Sequence, residues 1–170
     1  MDKHENKTDI SKEDRKRLAQ QLRERTSQSD YAQSADRLLS TRDLEAFHGA
    51  RVIPFDGHIR LTLAHRRGDT PGAVRFYVDG GQYEKKKTCG GIGLIGLDER
   101  DAVVCVATAG LITKNGEMLS TTDIETVGVM LCGYINEKAV KAKEATLYCD
   151  CKYSVQVAQE LLPRSPSAQW

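Results

Sequence analysis

The chain has 170 residues, enough for one domain of ordinary size with a buried core, and its 25 basic and 24 acidic side chains give no bulk charge that announces a polyanionic partner. Residues 1–75 carry 15 basic and 12 acidic side chains and residues 76–170 carry 10 and 12, an asymmetry that reads as solvated surface. There is no N-terminal apolar region of signal-peptide type and no run long enough to cross a bilayer, so an intracellular, soluble protein without a membrane partner is expected. The five cysteines (Cys89, Cys105, Cys132, Cys149, Cys151) are odd in number, form no CxxC pair and sit mostly in apolar runs, the pattern of free thiols rather than of disulfides or zinc.

Residues 1–50 read as a helical, charged N-terminal extension. Ser11 and Asp14 resemble an acidic capping box ahead of strong helix formers, with a thin apolar stripe at Leu18 and Leu22. A second short helical pattern runs from Asp30 to Leu39, and a third from Thr41 to His48 with Gly49 as its stop. Residues 51–72 read as a linker or an extra strand: Pro54 and Asp56-Gly57 mark turns, His58 to Ala64 alternates, and Arg66 to Gly72 is rich in turn residues.

The orderly pattern begins at residue 73. AVRFYVD (73–79), GGIGLIGL (90–97) and AVVCVATAGLI (102–112) read as three strands of an antiparallel meander, the last two joined by a short polar loop at Asp98 to Asp101. After a turn near Lys114-Asn115-Gly116, residues 121–143 have helical spacing at Ile124, Val127, Leu131 and Ile135, with Thr122 or Asp123 as N-cap. ATLYCD (145–150) is a fourth strand, and Tyr153 to Leu162 a final helix. The expected fold is α/β, a mixed β-β-β-α-β-α sheet over residues 73–170 in which a right-handed crossover returns the fourth strand parallel to the first.

That topology sets Asp79 and Asp150 at carboxyl ends of neighbouring strands, the edge at which open α/β sheets bind ligands. Two aspartates so placed repel unless they are protonated or cations sit between them, and oxygen donors favour Mg²⁺ or Mn²⁺ over zinc. Glu125, in the first turn of the connecting helix, is the third carboxylate within reach, and Gly128 and Cys132 give that flank a small surface able to press against the sheet. Taken singly, Glu125 also reads as a first-turn glutamate favoured by the helix dipole, and each aspartate as a turn residue.

YVDGG (77–81), GGIG (90–93), TTDIE (121–125) and YCDCKY (148–153) stand in an order and register that resemble the ribonuclease H family: its first-strand Y-x-D-G-S, its second-strand G-G-x-G, its T-x-N-x-x-E helix start and its fourth-strand T-D-S-Q-Y. The resemblance covers about residues 77–160. It implies a ribonuclease H-like domain, C-terminally short, in which Asp79, Glu125 and Asp150 are both catalytic residues and ligands of two Mg²⁺ or Mn²⁺ ions, hydrolysing the RNA strand of an RNA/DNA hybrid. Gly80 and Gly81 would then admit the polynucleotide backbone, and Lys85, Lys86, Lys87 and Lys152 would meet phosphates; solvated lysines are the alternative. The family's fourth acid, on a late helix, and the histidine before it have no counterpart after Asp150. Two other readings therefore stay open: an inactive module of the same fold that binds nucleic acid or protein, and another two-metal nuclease of the superfamily, a resolvase or transferase. A protein partner or homodimer has no sequence support.

Overall fold

The structure, a computed structural model, describes residues 11–26, 35–68, 70–83, 85–151 and 168–169. Its strands are β1 (Ala35–Ser40), β2 (Gly57–His65), β3 (Ala73–Tyr83), β4 (Lys86–Leu97), β5 (Val103–Thr113), β6 (Glu144–Cys149) and the two-residue β7 (Ala168–Gln169). Its helices are α1 (Lys12–Thr26), α2 (Thr41–His48) and α3 (Thr121–Ile135), the last continued by a π-helical turn, Asn136–Val140. All seven strands join one mixed sheet in the order β1-β2-β5-β4-β3-β6-β7. None of the described helices is long and apolar enough to cross a membrane.

The β3–β4–β5 meander is antiparallel, and β6 returns through α3 to pair parallel with β3. The polar loop between β4 and β5 closes on Asp98, whose carboxylate accepts the N–H groups of Arg100 (2.9 Å) and Ala102 (3.0 Å) and the Arg66 guanidinium (2.9 Å). Period-two burial along each strand sorts the sheet into two faces. Ile59, Leu61, Val74, Phe76, Val78, Ile92, Leu94, Ala107, Leu111 and Leu147 turn toward α2 and α3 and make the core. Tyr77, Asp79, Gly93, Thr108, Arg60 and Tyr148 turn the other way and are exposed.

The close approach of α3 to the sheet rests on absent side chains. A Cβ on Gly80 would stand 2.9 Å from Ile124 Cγ2, one on Gly90 2.7 Å from Ile124 Cδ1, and one on Gly128 2.9 Å from Val78 Cγ2. Helix and strands therefore interlock at the carboxyl end of β3. The α2 helix packs on α3 through buried His48, whose Nε2–H donates to the Met130 carbonyl at 2.7 Å, and burial lowers the imidazole pKa.

Four expectations change. Residues 1–50 are not purely helical: of the helix expected at Asp30 to Leu39, residues 30–34 lie outside the described residues and 35–39 belong to β1, because pairing along β2 from Ala35↔Leu63 to Ser40↔His58 outweighs the helix propensity of Ala, Arg and Leu. Of the two alternatives for residues 51–72, a linker or an extra strand, residues 57–65 take the strand, paired on both sides inside the sheet, so the sheet begins before residue 73. The N-cap of α3 is Ser120 rather than Thr122 or Asp123; its hydroxyl accepts the Asp123 N–H at 3.0 Å while Asp123 accepts the Ser120 N–H, a complete capping box. That helix ends at Ile135 rather than running to 143, and Lys141 stops the π turn in a left-handed conformation. The helix expected at 153–162 lies outside the described residues.

Candidate active site

Parallel registry builds the site. The last β3–β6 pairs are Tyr77↔Tyr148 and Val78↔Cys149, so Asp79 and Asp150 are the next residue along each chain, Asp79 still within β3 and Asp150 one residue past the end of β6. Both aspartates are exposed, and both line one open groove of about 600 Å³ on the face of the sheet opposite α2 and α3, with Tyr77, Tyr148, Gly93 and Thr108. Asp79 Oδ1 accepts the Gly80 N–H at 3.0 Å, which fixes one carboxylate oxygen and leaves the other free to bind.

Glu125 comes from below. Because α3 starts at Thr121, Glu125 lies just past its first turn, where the side chain turns inward and is only 8% exposed. Burial pushes its pKa up, the neighbouring negative charges of Asp79 and Asp150 push it further, and a hydrogen bond with Cys151 opposes them. Both aspartate charges thus act on Glu125. Gln82 Nε2 donates to the Leu119 carbonyl, and Leu119 N–H donates to Lys87 O at 2.8 Å, so the β3–β4 hairpin anchors the segment that leads into α3.

As the side chains stand, no group of three or more His, Cys, Asp and Glu among the described residues is arranged to hold a metal ion. The donor chemistry nonetheless fits a hard divalent cation. Three carboxylates, from β3, from α3 and from the residue after β6, act at one end of the sheet, and the repulsion that Asp79 and Asp150 exert on Glu125 would be relieved by a cation near them.

The other predicted contacts divide. Gly81 faces open space, with nothing within 4 Å of a built Cβ, whereas Gly80 faces Ile124, so packing alone accounts for its missing side chain. Lys85, Lys86 and Lys87 are exposed around the β3–β4 turn, the first two lining a hollow of about 580 Å³ with Tyr83. Lys152 lies outside the described residues.

Two features escaped the sequence reading. Tyr77 and Tyr148 stack with ring centroids 4.9 Å apart and planes 10° apart, and the repeated Tyr-x-Asp at 77–79 and 148–150 was the available signal for it. Cys151 lies near enough to Glu125 to counter the rise in its pKa, a proximity of distant segments with no local signature. The buried thiols are inert by comparison: burial pushes Cys105 up to about 12 and raises Cys132 as well. In comparison with family models, curated proteins and solved structures, the chain matches none.

Proposed function

We propose that this chain is a ribonuclease H-like, divalent-metal-dependent endonuclease that hydrolyses the RNA strand of RNA/DNA hybrids. One observation carries the reading: Asp79 from β3, Glu125 from α3 and the Asp150 that follows β6 converge at one edge, close enough that both aspartates raise the glutamate's pKa. The antiparallel meander, the α3 crossover and the parallel return of β6 support it, as do the four motifs in order.

Mg²⁺ or Mn²⁺ ions held by these carboxylates would supply an activated water and stabilise the departing 3′ oxygen of a phosphodiester. Asp79 lies within β3 and its Oδ1 is held by the Gly80 N–H, so little of its side-chain freedom would be lost on binding. Glu125, held against Ile124 and Gly128 by the packing of α3, completes the acid set from the core side. The open groove gives a polynucleotide backbone access to both aspartates without any part of the described chain moving aside.

A labelled RNA/DNA hybrid incubated with Mg²⁺ or Mn²⁺ tests this directly. Wild-type protein should cut the RNA strand and Asp79→Asn should not. Cleavage of branched DNA alone would point to a resolvase, and hybrid binding without cleavage to a binding module. The module reading has one observation of its own: Glu125 is engaged by Cys151, and no group among the described residues is set to hold an ion.

A further inference from the structure

At the other end of α3 lies a second, chemically opposite site. A pocket of about 340 Å³ is walled by His65 at the end of β2, by Arg66, Arg67 and Thr70 in the following segment, and by Lys141 beyond the π turn. Arg66 is held from two sides. Arg66 N–H donates to the Val104 carbonyl at 2.7 Å while its guanidinium grips Asp98, which consumes the only carboxylate paired there among the described residues. Arg67 and Lys141 take part in no ion pair among the described residues, and Asp69 lies outside them.

Lys141 is the more telling. It has φ +56° and ψ +33°, the left-handed backbone that glycine adopts freely and a lysine only at a cost. The conformation is imposed from within: Lys141 N–H donates to Asn136 O at 2.7 Å, and the buried Asn136 side chain brackets Ala142, accepting its N–H at 3.1 Å and donating to its carbonyl at 3.4 Å. A glycine would end this turn more cheaply, so the lysine is explained by its side chain rather than by its backbone.

From this geometry we infer that the pocket binds a phosphoryl group, with Arg67 and Lys141 as its charged donors and Thr70 as a neutral one. Guanidinium and ammonium together match a tetrahedral, multiply charged oxyanion better than a single carboxylate. The group is either a free phosphate or a backbone phosphate of a polynucleotide. The inference does not depend on the acidic site, which lies toward the opposite end of the fifteen-residue α3.

The test is an amide NMR titration of the full chain with inorganic phosphate at constant ionic strength, in EDTA so that no cleavage intervenes. Phosphate should shift Gly68, Thr70 and Lys141, acetate should not, and Arg67→Gln and Lys141→Gly should each weaken the response about tenfold or more, the scale of one lost charge-assisted hydrogen bond. Lys141→Gly should also melt no lower than the parent, because it relieves the left-handed strain. A second arm uses a short oligonucleotide: if both variants lower its affinity and flatten its salt dependence by about one unit of slope, the source is a polynucleotide backbone. If only the phosphate response falls, the source is a small phosphate. Absence of phosphate shifts, equal shifts with acetate, or variants that titrate like the parent would overturn the inference.

Discussion

Tyr77 and Tyr148 lie face to face, 4.9 Å between centroids, each two residues ahead of an aspartate in two paired parallel strands. The pair is half exposed, so the stack is a surface feature that fixes the registry of β3 against β6 at the step before Asp79 and Asp150. Truncating either ring to alanine should cost stability, and a double-mutant cycle should return a coupling of about 0.5–1.5 kcal/mol. Chemical denaturation of the four proteins measures it; a coupling of zero would mean that the rings merely lie near each other.

Glu125 should make the fold weaker as the solution becomes less acid. Its folded-state pKa lies above the ordinary glutamate value because burial, and then Asp79 and Asp150, disfavour the charge. The unfolded chain therefore releases that proton first, and stability falls as pH rises from about 4.3 through the raised value, remaining lower above it. In EDTA, Glu125→Gln should be more stable than the parent at neutral pH and equal to it at acid pH. Mn²⁺ added at neutral pH should narrow the gap.

Asp98 works in the opposite direction. Burial alone would raise its pKa, but the Arg66 guanidinium and the N–H groups of Ala102 and Arg100 outweigh that and hold it below the ordinary aspartate range. Its contribution is complete above about pH 3.9 and is lost as pH falls through the lowered value. Arg66→Met should cost about 2 kcal/mol at neutral pH, because it strips a charge-assisted bond from a nearly buried carboxylate. Urea unfolding at pH 7 and pH 3 should show that penalty shrinking in acid.

The glycine contacts under α3 predict a specific epistasis. Gly90→Ala drives a methyl to within 2.7 Å of Ile124 Cδ1 and should destabilise by about 1–3 kcal/mol. Ile124→Ala deletes that carbon and also Cγ1, which the methyl would otherwise meet at 2.9 Å. The double variant should be more stable than the sum of the single losses, as thermal melts of the set will reveal; simple additivity would mean that the helix moves aside freely.

What the sequence made legible was whatever depended on local signals. The three strands of the meander and β6 stand out by β-branched runs and turn residues, and α3 by its 3.6-residue spacing. The neighbouring of Asp79 and Asp150 follows from the parallel crossover. The strand β1 was hidden because Ala-Asp-Arg-Leu-Leu-Ser has helical propensity and becomes a strand only through β2, which supplies its pairing from outside the segment. The cap of α3 was missed although Ser120-x-x-Asp123 is a complete local motif, because Thr122 and Asp123 are themselves good caps. Cys151 and Lys141 were not legible: one acts through a contact with a distant helix, the other through a backbone angle set by Asn136.

Ser40 is at once the final residue of β1 and the N-cap of α2, its hydroxyl accepting the Asp43 N–H at 3.0 Å. The next residue, Thr41, donates its hydroxyl to Phe55 O at 3.2 Å and accepts the Gly57 N–H at 3.1 Å, just where β2 begins. No slack separates strand from helix, so sliding β1 by one position along β2 would break the cap and both threonine bonds together. An edge strand with Leu38 73% exposed is otherwise free to slip or to recruit another chain. The helix thus acts as an end-stop for the sheet margin, and amides of 35–40, 41–48 and 57–65 should exchange with solvent as one cooperative unit.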